Sequence, residues 1–323
     1  MKRTLPKFLL VVFVAVLFSG CALNYSINKP VPSTFRYDVG EKHPTVLQIV
    51  DKRKDAKFFK GTGGLSHFDI KLENVKDPID WLSHALQNEF ASRGVPVEVV
   101  TQDYKGKPNL MLTVQKYQIV NYRASGFSPW VAYHSFKAEL KSGDQHHPVR
   151  AYFLYGKVPV WSMTEVHEPC LSMPMTILVR DIVSKINRYA LHYSVSTPRL
   201  NEINGQLAQK IKSGAKDAYL QVLELGGSNN PEAMKMLMDK VQSEDMLIRA
   251  CALSSMGTLG AEDKIDFLKQ KYTEYADIDR FMTLKAIGDI GSPEAMEFLK
   301  HAKADPKNAN ESGITYCVDL YTE

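Results

Sequence analysis

Met256-Gly257-Thr258-Leu259-Gly260 returns as Ile287-Gly288-Asp289-Ile290-Gly291, 31 residues later. Pro231-Glu232-Ala233-Met234 returns as Pro293-Glu294-Ala295-Met296 at a separation of 62, twice that period. Leu223-Glu224-Leu225-Gly226 is a degenerate first copy. A period near 31 written wholly in helical pattern admits few folds. Each repeat is a helix pair too small to bury its own apolar face, so successive pairs must stack. The spacing predicts pairs at about 215–225 with 231–242, 245–259 with 262–273, and 279–290 with 293–303. Each first helix ends at a glycine, and each second helix begins near a Pro-Glu or Glu-Asp that suits a helix N-terminus. Leu200–Lys212 and residues 306–323 are expected to cover the two ends of the stack.

Arg249-Ala250-Cys251-Ala252-Leu253, followed by Gly257 and Gly260, resembles the short HEAT repeats also found in phycobilisome-lyase-like proteins. The resemblance covers residues 215–303 and implies an all-α HEAT-like solenoid, with caps, over 198–323. Such an array is expected to offer a concave helical face to a protein partner.

The preceding half reads differently. Thr45–Val50 is rich in β-branched residues and reads as a strand. Asp77-Pro78 starts a helix, because Asp77 can cap it and Pro78 fits the first helical position. Ile79, Leu82, Leu86 and Phe90 give that helix one apolar face, and Gly94 stops it. Val95–Val100, Leu110–Val120, Trp130–Leu140 and Val149–Tyr155 read as further strands, with Lys141-Ser142-Gly143-Asp144 turning a hairpin. Ser172 to about Ala190 closes the unit as a helix with Met175, Leu178, Val179, Ile182, Ile186 and Tyr189 on its apolar face. The order β-α-β-β-β-β-α predicts an α+β domain over 44–197, a mixed or antiparallel sheet with helices on one face. The Asp51-Lys52-Arg53 strand end, the helix Trp81-Leu82…Leu86 closing at Arg93-Gly94, and the later hairpin resemble YajG-type and ABC-transporter-auxiliary outer-membrane lipoproteins. Those families imply envelope assembly and lipid trafficking rather than catalysis.

Lys2, Arg3 and Lys7 precede an unbroken apolar run at residues 8–18, and Ser19-Gly20-Cys21 closes it with small residues. Eleven apolar residues are too few to span a bilayer core of roughly 30 Å as a helix, but suit a signal-peptide h-region. Leu17-Phe18-Ser19-Gly20-Cys21 resembles the lipobox of bacterial lipoproteins, with Phe18 where that family most often has Leu; the alternative is an ordinary secretory signal with a chance cysteine. The resemblance implies a signal peptide at 1–20, lipidation of Cys21, and a lipidated tether over 21–43, which holds two prolines and no periodicity. Ala22 rather than Asp after the cysteine resembles outer-membrane sorting, with the protein on the periplasmic face.

A composition of 44% hydrophobic and 24% charged residues excludes a disordered or membrane-embedded chain. Charge is divided: residues 22–196 carry 22 Lys/Arg against 16 Asp/Glu, and residues 197–323 carry 15 against 20. Neither half is basic enough for a nucleic-acid binder. The halves can attract each other or take different partners. Beyond Cys21, the three cysteines Cys170, Cys251 and Cys317 allow a Cys251–Cys317 pair or buried thiols.

Nothing organises a catalytic site. Gly61-Thr62-Gly63-Gly64 lacks the lysine of a P-loop and opens no helix. His146-His147, in the expected hairpin turn, and His167-Glu168-Pro169-Cys170 lack metal-ligand spacing. No GxSxG is present. No enzyme activity, cofactor, metal or small-molecule ligand is expected. The basic loop carrying Lys52, Arg53, Lys54, Lys57 and Lys60 against Asp55 is the candidate interaction site, for anionic headgroups, an acidic partner, or the chain's own acidic repeats. The expected function is a membrane-anchored periplasmic scaffold for protein–protein interaction. The alternative is a lipid-transport accessory holding an acyl chain or headgroup in the α+β domain, near Trp81 and Phe90.

Overall fold

The computed structural model describes residues 24–38, 43–63, 71–125 and 128–323. At its centre β2 (Thr45–Asp51) lies parallel to both neighbours, β5 (Val97–Val100) and β6 (Leu110–Tyr122). β6, β7 (Trp130–Ser142) and β8 (Gln145–Lys157) continue as an antiparallel meander, and β3 (Phe59–Thr62) adds parallel to the far half of β6. This is a six-stranded mixed sheet. The two-residue strands β1 (Asn24–Tyr25) and β4 (Lys71–Leu72) pair outside it.

The β7–β8 hairpin is longer than the pattern suggested. Ser142 pairs with Gln145, leaving a two-residue turn in which Gly143 takes φ +60°, a conformation open to glycine. His146 and His147 therefore belong to β8 and not to the turn. β6 carries a bulge at Gln115, where the register with β7 shifts between Val114 and Lys116. The extra residue reverses the alternation, so Leu112 and Val114 share a face with Tyr117 and Ile119.

That face is covered by α1 (Pro78–Ser92) and α2 (Met173–Ile186). The Asp77 carboxylate accepts from the backbone N–H of Ile79 (2.7 Å) and Asp80 (3.2 Å), as its cap position requires, and Gly94 ends the turn at φ +68°. α2 is flanked by π-helical turns at Glu168–Ser172 and Asn187–Leu191. Every residue from Met173 to Ile186 is buried, Arg180, Asp181 and Lys185 included. The expected single apolar face is insufficient because α2 lies between the sheet and the second half of the chain.

That second half consists of helices: α3 (Thr197–Lys212), α4 (Tyr219–Gly227), α5 (Ala233–Lys240), α6 (Met246–Leu259), α7 (Ile265–Glu274), α8 (Asp277–Ile290), α9 (Pro293–Ala304) and α10 (Ser312–Thr322). α4, α6 and α8 stack side by side, with α5, α7 and α9 outside them. The period has a physical origin. Gly226, Gly257 and Gly288 sit one period apart at the crossings, where a Cβ would come within 2.4 Å of Ser255, 2.6 Å of the Ala286 backbone and 2.6 Å of Tyr321. A side chain there would drive the helices apart.

Two features depart from the sequence reading. α10 crosses to the other sheet face: Tyr152 donates to the carbonyl of Gly313 (3.0 Å), and the rings of Tyr133 and Tyr316 are 4.8 Å apart. Tyr133 and its neighbour His134 point to opposite faces, and His134 bonds the Cys170 carbonyl (2.8 Å) on the α2 side. Helices therefore cover both faces, not one. Residues 24–38, expected within a tether, form a packed arm with Tyr25, Ile27, Phe35 and Tyr37 buried. The arm's unpaired backbone groups find buried partners. Arg180 donates to the carbonyls of Val31 (3.1 Å) and Pro32 (2.8 Å), Glu89 accepts from the Ser33 N–H (3.1 Å), and Glu224 accepts from the Thr34 N–H (2.8 Å).

A sealed cluster of four charges locks the halves together. Lys185 Nζ lies 3.1 Å from Asp181 and 2.6 Å from Asp289, and Lys285 Nζ lies 3.0 Å from Asp181 and 2.8 Å from Asp289. Thr258 and Tyr321 each donate to one of the carboxylates at 2.6 Å. Burial opposes charge on Lys285, yet the two carboxylates together raise its pKa above the usual lysine range. Asp181 is held below the usual carboxylate value by Lys185 and Lys285 against the cost of burial. Two cations balance two anions, and removing one would leave an uncompensated charge.

Candidate functional site

The second sheet face is only partly covered by α10, and the remainder forms a groove. Its floor follows from the β6 bulge, which places Lys116 directly opposite Lys137, with Arg150 next across the sheet. Three cations in one cross-strand row repel one another unless something accepts them. Arg150 is accommodated: its Nε donates to the Leu320 carbonyl at the C-terminal end of α10 (3.0 Å), and its guanidinium lies 5.8 Å from the Tyr321 ring centre. A helix C-terminus is a favourable place for a cation.

Lys116 and Lys137 have no such partner. Together with Lys52 and Lys54 from the loop after β2, and the carboxylates of Asp55, Asp319 in α10 and Glu323 just after it, they line a groove of about 760 Å³. The ammonium groups of these four lysines form no ion pair within 4.0 Å among the described residues. Burial lowers the pKa of Lys116, and Lys60 adds to this against Glu323 and Asp319. Burial likewise lowers that of Lys137, helped by Arg150, Lys116 and Lys54 and opposed by Glu323. An anion in the groove would oppose both shifts. The groove's lysines can hold carboxylates or phosphates by charge.

The predicted loop is thus divided. Lys52 and Lys54 face the groove, Lys57 is exposed, and Lys60 pairs with Asp55. Arg53 is committed elsewhere: Nε and Nη2 each donate to Asp51 at 2.9 Å, and its side chain is 6% exposed. It positions the loop and does not present charge. Lys116 and Lys137 were missed because only the strand register brings them together. Asp319 and Glu323, in the segment expected to cap the helical stack and not in the repeats, share this groove.

The other candidates are dispersed. His146 bonds Glu139 (2.8 Å), while His147 stacks on Tyr189 on the opposite face (4.9 Å between centres). His167 packs against Tyr25 (4.5 Å), and Cys170 is buried, with its pKa pushed up to about 12 by burial. Among the described residues no three His, Cys, Asp or Glu side chains are grouped to hold a metal ion. Cys251 and Cys317 are separate buried thiols. Between α1 and the sheet Leu82, Leu86 and Phe90 have no exposure; Trp81 lines a groove of about 370 Å³ on the outer side, against Pro30 and Pro32. Cys21, Gly64, His67 and Phe127 lie outside the described residues. No helix among the described residues is long and apolar enough to cross a membrane.

The helical half does not leave its inner face open. Arg180 of α2 donates to the carbonyl of Leu220 (3.0 Å), Asp181 accepts from Thr258, and a Cβ on Gly227 would meet Ser184 at 2.8 Å. The faces of α4 and α6 that an isolated array would offer to a partner are occupied by the chain's own α2.

The fold and groove define a class: a mixed-sheet unit fused through a buried helix to stacked helices, with a lysine-lined groove beside α10. No family model and no curated protein matches the chain. Among solved structures it is similar to the crystal structure of a Xanthomonas campestris protein of family-model DUF330. The identity is 14%, covering 49% of this chain and 93% of that one, with a TM-score of 0.29, too low to carry an inference about fold or function.

Proposed function

We propose that this chain is a non-enzymatic lipoprotein scaffold, anchored through Cys21 at the periplasmic face of the outer membrane. Its helical half is a HEAT-like solenoid. It takes an acidic segment of a partner protein in the groove of Lys52, Lys54, Lys116 and Lys137. The observation that carries this reading is the groove itself: four lysines without ion-pair partners among the described residues, two on the sheet face left open beside α10 and two on the loop after β2. The contact of α2 with α4 and α6 supports a partner at the groove rather than on the helices' inner side. The alternative of an acyl chain between α1 and the sheet gains no support from Phe90, Leu82 and Leu86, which fill that space.

Mild crosslinking in intact cells, followed by capture of the full-length chain, tests this. Wild type should recover a protein with an acidic segment, and a Lys52→Glu, Lys54→Glu double variant should lose it. Recovery of the same proteins by both forms, or of lipid without protein, would overturn the reading.

A further inference from the structure

The loop after β8 exposes Val158 (42%), Val160 (69%) and Trp161 (91%). A tryptophan so open is normally avoided on a surface that meets only water. It is not a frayed segment. The Glu165 carboxylate accepts from the backbone N–H of Val160 (3.2 Å), Trp161 (2.8 Å) and Ser162 (3.1 Å), so three consecutive donors are fixed by one side chain. Those hydrogen bonds hold the Glu165 pKa below the usual glutamate value. Ser162 in turn caps the following turn by accepting from the Thr164 N–H (3.0 Å). The backbone is braced so that the apolar side chains stand outward.

The position of the loop supplies its partner. Trp130, the first residue of β7, pairs with Lys157, the last residue of β8, so 158–161 leaves from that end of the sheet. The arm enters at the same end: Tyr25 lies 6.0 Å from Trp130 and 4.5 Å from His167, and Asn28 donates to Glu168 (2.8 Å). Cys21 precedes Asn24 by three residues, which span at most roughly 10 Å. An acyl group on Cys21 would therefore hold this end of the molecule against the bilayer. Tyr122, 39% exposed at the end of β6, lies at the same end of the sheet, opposite Val131, which in turn pairs with Gly156.

We propose that Val160 and Trp161 form a second, shallow contact with the bilayer that holds Cys21, fixing the orientation of the protein on the membrane. This rests on the anchoring reading above. Tryptophan favours the headgroup boundary, where its ring is buried and its N–H stays wet. Apolar side chains there penetrate about 5–10 Å. Tethering makes a weak contact count, because the loop is kept at high local concentration near the surface. Lys116 lies six residues from Tyr122 along β6, or roughly 20 Å at ~3.3 Å per residue. The contact thus keeps the basic groove away from the headgroups and open to a protein.

The lipidated full-length chain, reconstituted in phosphatidylethanolamine–phosphatidylglycerol vesicles with or without brominated acyl chains, tests the proposal. Flotation reads the anchor, and tryptophan quenching reads the loop. Wild type and Trp161→Phe should both float. Brominated lipid should quench up to the share of one tryptophan in three in the wild type, and that component should vanish in Trp161→Phe. A floating protein that shows no quenching, or equal quenching in both forms, would overturn the proposal. Failure to float would instead remove the anchoring reading and the proposal with it. A Val160→Ser, Trp161→Ser variant that floats and melts as wild type, but shows more orientations by crosslinking to the membrane, would support it; unchanged orientation would not.

Discussion

Two sets of lysines lie within a few strands of each other and have opposite fates. Lys185 and Lys285 are sealed between α2, α6, α8 and α10, each within 3.1 Å of two carboxylates. Lys116 and Lys137 stand side by side at the open end of the same assembly, with no ion-pair partner among the described residues. Charge that is buried and closed into ion pairs fixes one arrangement of the two halves, whereas half-buried charge outside any ion pair stays open to a further partner. The first set belongs to the fold and the second carries the proposed binding, although lysine composition does not separate them.

The strongest way to break this contrast is to unbalance the sealed set. Lys285→Met leaves Asp181 and Asp289 sharing one cation and should cost about 3–5 kcal/mol, read by chemical denaturation. A loss under about 1 kcal/mol would mean that the cluster does not clasp the halves. Acid should act next on the sealed region. His134 is fully buried and neutral, its pKa lowered to about 4 by burial despite its bond to the Cys170 carbonyl. The unfolded chain, with an ordinary value near 6.5, takes up the proton first as pH falls, so stability should decline between about pH 6.5 and 4, by about 3 kcal/mol in all. His134→Gln should flatten that part of the pH profile.

Gly257→Ala tests the stacking itself. Its Cβ would lie 2.6 Å from the Ala286 backbone, and overpacking there should cost about 1–3 kcal/mol. In the open region the expected effect is smallest and of opposite sign. Lys137→Gln relieves repulsion from Lys116 and Arg150, so stability should stay within about 0.5 kcal/mol of wild type or rise. Salt should stabilise the wild type slightly by screening that row, and the variant less. A clear loss of stability in Lys137→Gln would show that the groove lysines are structural after all.

Much of the frame is legible in the sequence. Asp77 and Pro78 start α1, Ser292 and Pro293 start α9, Gly260 and Gly291 end α6 and α8 in left-handed conformations, and Gly143 turns the hairpin. These are local signals, set by cap chemistry and backbone sterics. What escaped is long-range. The Gln115 bulge leaves no mark in a run of alternating residues, yet it decides that Lys116 faces Lys137. The arm at 24–38 has no periodicity, because its order comes from Arg180, Glu89 and Glu224, far along the chain. α2 reads as an amphipathic helix, and nothing local says that its polar residues are buried against α4, α6 and α8. Half of the groove was in view as Lys52 and Lys54; the other half needed the strand register.

The central claim is that the groove lysines bind an external acidic chain. Titrating a fluorescent glutamate-rich peptide into the full-length protein at low and physiological salt tests it most directly. Saturable, salt-sensitive binding is expected, and a Lys52→Gln, Lys54→Gln, Lys116→Gln, Lys137→Gln variant should bind on the order of tenfold more weakly with an unchanged unfolding midpoint. Equal binding by the two proteins would contradict the claim.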